Sequence, residues 1–290
     1  VNPSLIHCPA ADYHADKTAV SASALKLFDR APSLFLDWQQ GRDAKGDPSP
    51  SLRLGSLVHT LTLEPERFAD SWCVVPHDAP RKPSITQREA AKPSPATVAA
   101  IEFWDSWEAA LNGRTAINAE EYEEAETIAE KCFGNKAIGQ ILRARGEVEA
   151  VVKWTDADTG IMCKARMDKA LLTQTGKVVF DLKTCADASL DGFQRAAVGY
   201  GYHIQVAHYL AAAEALAGEA ATFFFGCVET SKPHLTHCFS AGSDFIAYGQ
   251  RERRRLLASL AKCFETGSFP GLCATDFGVS ELTLPRWINP

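Results

Sequence analysis

The chain has 290 residues, 46% of them hydrophobic, with 30 basic against 36 acidic side chains and a formal charge of −6. That is enough chain for one sizeable core, or a core with an added lobe, and no run of 18 uncharged apolar residues offers a membrane span. The negative balance weighs mildly against an enzyme held to nucleic acid by bulk charge, although distribution matters more than the sum.

Taken in chain order, helices are expected over 22–30 and 32–40, with Ser21 suited to cap the first, followed by a polar loop over 41–50. Residues 51–64 form an apolar helix stopped by Pro65; His59 stands among leucines there, with Gly55 one turn earlier leaving room. A short strand over 72–75 leads into a segment, 76–95, that carries five prolines and few apolar residues. It reads as a mobile loop or lid. Helices follow over 96–111, 119–133 and 136–145. The second carries Glu120, Glu121, Glu123, Glu124, Glu126 and Glu130 on what should be a solvated face.

Three strands come next, over 147–155, 162–172 and 177–182. The turn Thr173-Gln174-Thr175-Gly176 makes an antiparallel hairpin of the last two. Glu149 on the first reads as an exposed strand glutamate, with a further acidic ligand as the other possibility. Helices over 190–197 and 202–216, a strand pair over 221–229 and 235–240, a long helix over 243–266 and an irregular tail complete the chain. Base is concentrated at Arg251-Glu252-Arg253-Arg254-Arg255 and again at Arg81, Lys82, Arg88 and Lys92, and the run 251–255 is a weak candidate for DNA contact. Nine cysteines, an odd number without any Cys-x-x-Cys, read as free thiols in a reducing cytoplasm rather than as a disulfide framework or zinc site. Val1-Asn2-Pro3-Ser4 has no basic-then-apolar pattern, so no secretory leader is expected.

The chemistry concentrates at Asp181-Leu182-Lys183, which ends the buried run Val178-Val179-Phe180. Side chains alternate along a strand, so Asp181 and Lys183 share a face. Asp168 lies thirteen residues earlier across the hairpin turn, which can bring both carboxylates to one end of a sheet. Two acids and a lysine there suit a Mg²⁺ site: carboxylates hold the ion, and the ammonium positions water or steadies developing charge. The residues by themselves point to a Mg²⁺ phosphodiesterase. Farther on, Gln205 and Tyr209, four apart on a helix, share a face.

Gly-x-x-x-His on a helix, Asp on a strand, Asp-x-Lys on the next strand and Gln-x-x-x-Tyr on a helix together resemble the motif order of RecB-like nucleases of the PD-(D/E)XK class. The pattern is most similar to the exodeoxyribonuclease VIII (RecE-type) nuclease domain of phages and prophages. Three stretches extend the resemblance. One is Tyr13-His14 with Val20-Ser21-Ala22-Ser23-Ala24-Leu25-Lys26-Leu27-Phe28 and Ala31-Pro32. Another is Gly55-Ser56-Leu57-Val58-His59 running into Leu63-Glu64-Pro65, and the last is the closing Leu284-Pro285-x-Trp287.

The resemblance implies an α/β fold: a restriction-endonuclease-like core with a mixed central sheet flanked by helices, plus N-terminal helical additions. It would be one domain over 1–290, with a helical part over 1–146, a catalytic sheet core over 147–240 and a C-terminal helix and tail over 241–290. It implies His59, Asp168, Asp181 and the Leu182 carbonyl as ligands of Mg²⁺, with Mn²⁺ as a substitute, and Lys183 as the catalytic lysine beside Asp181 and Asp168. Gln205, Tyr209, Ser21 and Ser23 would meet DNA, with the serines and Gln205 around a 5′-phosphate. The implied activity is 5′→3′ degradation of linear double-stranded DNA in phage-type recombination. A homo-oligomeric ring, a single-strand annealing partner and the cytoplasm of a bacterium or phage-infected host go with it. A structure-specific endonuclease on the same core, or an inactive DNA-binding scaffold, remains the alternative.

Overall fold

The computed structural model of the protein describes residues 3–43, 46, 48–174, 176–272, 279, 282 and 283. The closing motif Leu284-Pro285-x-Trp287 lies outside them. Twelve α-helices and eight strands are described. They begin with β1 (Ser4–Ile6), α1 (Ala10–Ala15), α2 (Ala22–Arg30), α3 (Pro32–Gln39) and α4 (Pro50–Leu63). Next come α5 (Phe68–Ser71), β2 (Trp72–Val74), α6 (Ile85–Arg88), α7 (Pro95–Ala109), β3 (Thr115–Ile117), α8 (Ala119–Gly134) and α9 (Lys136–Arg143). The chain continues through β4 (Glu147–Thr155), β5 (Met162–Thr173), β6 (Gly176–Cys185), α10 (Leu190–Gly199) and α11 (Tyr202–Ala217), and closes with β7 (Thr222–Glu229), β8 (Thr236–Ser240) and α12 (Ser243–Thr266). No helix among the described residues is long and apolar enough to cross a membrane. The eight described cysteines are all free thiols.

The main sheet runs β1-β4-β5-β6-β7-β8, with β6 and β7 parallel and every other pair antiparallel. It is the mixed sheet, flanked by helices, of a restriction-endonuclease-like core. The parallel step needs a crossover, which α10 and α11 supply. β1 extends the sheet from the N-terminal segment, and β2 and β3 form a small parallel pair; the three-residue strands β1 and β3 are too short to announce themselves in the sequence.

Each sheet face buries its own core. One joins Ala150, Val152, Ala165, Met167, Val179 and Phe225 to α2, α3, α11 and α12. The other joins Phe180, Leu182 and Val228 to α4, α8 and α9. Helix α11 is buried nearly all round, with His203, Gln205 and His208 inside as well as its apolar residues, because α12 covers the side turned away from the sheet. The two helices cross so closely at Gly249 that a Cβ there would run into the His203 carbonyl.

One sequence expectation is corrected here. Segment 76–95 is docked on α7 rather than free: Trp104 Nε1 donates to the Pro80 carbonyl at 2.8 Å, Arg88 pairs with Asp105 and Lys82 with Glu108, and a capping box starts α6 at Ser84. In the basic run 251–255 only Arg253 is buried, while Arg251, Arg254 and Arg255 are exposed. Arg253 pairs with Asp156 at 2.9 Å, and Arg255 pairs with Asp29 and Glu252. A bare charge count could not see Asp156 and Asp29, which lie far away in sequence. Helix α8 meets expectation: Ala125, Ile128, Ala129 and Cys132 are buried, and its glutamates are exposed or half-buried on the other face.

Candidate active site

Antiparallel pairing of β5 with β6 runs from Thr173↔Gly176 to Lys169↔Phe180 and stops one residue short of Asp168 and Asp181. The β4–β5 ladder skips the same level, passing from Val148↔Lys169 to Ala150↔Met167 without a Glu149–Asp168 pair. There the alternation of faces also breaks. Val148 packs on the α8–α9 side, whereas Ala150 and Met167 belong to the opposite core. Glu149 takes a positive φ of 51°, an uncommon conformation for a residue with a side chain. The irregularity re-aims side chains without shifting the register, and it brings Glu149 and Asp168 into a common pocket.

Asp168 fills the gap it leaves in the ladder: its Oδ2 accepts the Leu182 N–H at 2.7 Å. His59 reaches the same point from α4. Its Nε2 lies 3.0 Å from Asp168 Oδ2 and 3.1 Å from the Leu182 carbonyl, and its Nδ1 lies 3.5 Å from Glu149 Oε1. This approach depends on Gly55, one turn earlier on α4, where an added Cβ would meet Thr184 Oγ1 of β6 at 2.9 Å. Glu149 is held in turn by Arg166 Nε at 2.7 Å. It is therefore part of the cluster, and the expectation of an exposed strand glutamate is corrected. The backbone irregularity that turns it inward leaves no trace in a pattern of alternating residues.

Asp181 is buried beside this cluster and contacts α11. Its Oδ2 pairs with Lys183 Nζ at 2.5 Å, and its Oδ1 accepts from Gln205 Nε2 at 2.7 Å. Tyr209 stands one turn beyond Gln205 on the same helix and lines the same recess. Ser21 caps α2 by accepting the Ala24 N–H at 3.2 Å. Ser21, Ser23, Gln205 and Tyr209 all line one recess of about 310 Å³ together with Asp168 and Lys183. A larger cleft of about 1060 Å³ adjoins it, sharing His59, Glu149 and Lys183 and continuing along α4, Arg67 and α10. None of residues 76–95 lines either space.

The charges are strongly coupled. Burial and the neighbouring Asp168 raise the Asp181 carboxyl to about 6, against the lowering pull of Lys183. Burial works against the charged forms of Asp168 and His59, but their mutual attraction prevails, so Asp168 titrates below and His59 well above its ordinary range. Lys183 is likewise held above its usual range by Asp181 and Asp168 despite burial. His59, Glu149 and Asp168 offer ligand atoms within 4.8 Å of one another, and the Leu182 carbonyl joins them. Carboxylates, a carbonyl and one imidazole suit Mg²⁺ or Mn²⁺. A cation would relieve the repulsion that two buried carboxylates impose on each other.

Lys26 escaped the sequence reading. It lies on α2, borders both spaces, and places Nζ 5.6 Å from the centre of the Tyr202 ring, which Lys183 Nζ approaches at 4.9 Å. Only the fold brings residues 26, 183 and 202 together.

The family described as a PDDEXK-like domain of unknown function (DUF3799) matches residues 21–275. A Eubacterium rectale protein described as a "putative exonuclease" superposes with a TM-score of 0.62, covering 98% of this chain and 97% of its own, at 14% identity. At that identity the likeness concerns the fold. SSO0001, at 10% identity over 84% of this chain and 77% of its own, has a TM-score of 0.29, too loose to bear on the argument. No curated protein matches the sequence.

Proposed function

The chain belongs to this PDDEXK-like family, and on that premise we propose that it is a metal-dependent deoxyribonuclease, an exonuclease that degrades linear double-stranded DNA from its ends. The observation that carries the reading is the convergence of His59, Asp168, Glu149 and the Leu182 carbonyl beside an Asp181–Lys183 pair, inside an open cleft. A divalent cation there would supply Lewis acidity, making an attacking water more acidic and neutralising charge on the phosphate. His59, Asp168, Asp181 and the Leu182 carbonyl would hold it, with Glu149 orienting His59 or joining the ligands.

Lys183 is placed to act beside the reacting phosphate. Its ammonium, now on Asp181 Oδ2, would orient the water or counter the charge that develops on phosphate oxygens. Gln205 fixes Asp181 through Oδ1, so that carboxylate presents a defined geometry. No covalent intermediate is required. The 5′→3′ direction, a 5′-phosphate pocket formed by Ser21, Ser23 and Gln205, a role in phage-type recombination, an annealing partner and a ring assembly rest on the RecE-type resemblance. Ser21, Ser23, Gln205 and Tyr209 line the recess beside Lys183, which supports a pocket for one DNA end.

The test is digestion of linear duplex with and without a 5′-phosphate in Mg²⁺. Faster loss of the phosphorylated substrate, with label released from the 5′ end, supports the full reading. Equal rates, or release from the 3′ end, remove the pocket and leave only the nuclease reading.

A further inference from the structure

Lys26 makes no ion pair among the described residues, although it is half-buried and borders the site. The charges that act on it are Lys183, which repels it, and Asp181, which is already paired with Lys183. A partly desolvated ammonium without a carboxylate partner is costly, and an anion entering the cleft would compensate it. The described partner of its ammonium is the ring of Tyr202. Tyr200, two residues earlier, places its ring centre 5.7 Å from that of Tyr202, is 66% exposed, and lines the larger cleft. Tyr200 sits on the tight turn between α10 and α11, where Gly201 takes a φ of +64° and a Cβ would meet Lys26 Cδ at 3.0 Å. The turn therefore fixes an exposed aromatic ring and an unpaired cation close to each other.

We propose that Lys26 and Tyr200, grouped around Tyr202, form a subsite for the nucleotide next to the one cleaved, Lys26 taking its phosphate and Tyr200 stacking on its base. The inference rests on the nuclease reading above. Lys26 and Lys183 both approach the Tyr202 ring, at 5.6 and 4.9 Å from its centre, so a strand with one phosphate at Lys183 would pass its neighbour across Lys26. An aromatic face accepts any base, so the subsite holds the strand without reading sequence. Stacking on Tyr200 needs an accessible base face, so the nucleotide held there is unpaired or terminal.

The test uses the full chain and fluorescent oligonucleotides with a single-stranded end, bound in Ca²⁺, either natural or with one abasic site stepped along the strand. In wild type, one abasic position next to the cleavage point should weaken binding about tenfold. Y200A should show a similar loss on natural DNA and no further loss at that abasic position, while Y200F behaves as wild type. K26M should flatten the dependence of log affinity on log salt by about one unit, with K26R restoring it. Both variants should keep the thermal shift on adding Mn²⁺, which reports an intact fold and metal site. The subsite is overturned if the abasic position costs Y200A as much as wild type, or if K26M keeps the wild-type salt slope, while wild type still cleaves. If wild type neither binds nor cleaves DNA with any divalent cation, the nuclease reading falls and the subsite with it.

Discussion

Asp181 sits between two demands. Burial and Asp168 favour its protonated form, while Lys183 and a bound cation favour the carboxylate. With its carboxyl raised to about 6, falling pH protonates it through that range, weakening both the ion pair and the hold on metal. Cleavage should therefore fall on the acid side, with a midpoint that moves to lower pH as Mg²⁺ is increased; a pH–rate series at several Mg²⁺ concentrations measures this. His59 adds a second proton linkage. Its folded-state pKa is raised, so at neutral pH the metal-free protein carries a proton that a cation must displace. The Mn²⁺ concentration for half-maximal thermal shift should drop as pH rises, by roughly tenfold per unit for each proton released. Asp168→Ala and Asp181→Ala should each abolish cleavage with the fold retained by circular dichroism, and His59→Ala should weaken metal use less completely. Lys183→Ala should cut turnover by orders of magnitude while DNA affinity changes little. Lys183→Arg should not rescue it, because a planar guanidinium cannot replace a compact ammonium.

At the scale of elements, the site depends on α4 lying close against β6. Gly55 permits this, and adding a Cβ would push against Thr184 Oγ1. Gly55→Ala should weaken Mn²⁺ binding by displacing His59 while shifting Tm only a few degrees, and Thr184→Ala in the same chain should restore binding by making room. Additive losses in the double variant would contradict that coupling. Much of this layer was legible in the sequence. The Val178-Val179-Phe180 run ending in Asp181 and Lys183, the hairpin at Thr173, and the apolar helix around His59 follow from period and turn chemistry, and β4 and α12 take the limits expected of them. What was not legible depends on distant partners. The break at Glu149 and Asp168 occurs within two strands of unremarkable composition. Lys26 acquires meaning only where α2 meets Tyr202, and segment 76–95 is ordered by Trp104 and Asp105 on α7 rather than by its own residues.

Across the whole molecule, the C-terminal helix is tied to the sheet by a buried polar network. Arg253 pairs with Asp156, approaches His208 Nδ1 at 3.3 Å and lies 5.9 Å from the Trp154 ring centre, while His208 Nε2 meets the Lys164 carbonyl. Burial and the adjacent Arg253 push His208 down to about 3, so it is neutral at working pH. Asp156→Ala would leave Arg253 without its counter-charge and should cost about 3–5 kcal/mol, read from denaturant unfolding. The same network takes Arg253 out of any DNA-binding face, and with a net charge of −6 the molecule has little long-range attraction for DNA. Affinity must then come from cations inside the cleft, and activity should fall steeply with salt. The most direct measurement of the central claim sets linear and covalently closed circular duplex side by side, with Mg²⁺, with Mn²⁺ and with EDTA, for wild type and Asp181→Ala. Wild type should consume linear DNA only when a divalent cation is present and spare the circle, and Asp181→Ala should be inactive on both. Cleavage in EDTA, full activity in Asp181→Ala, or no cleavage with either cation would contradict the claim.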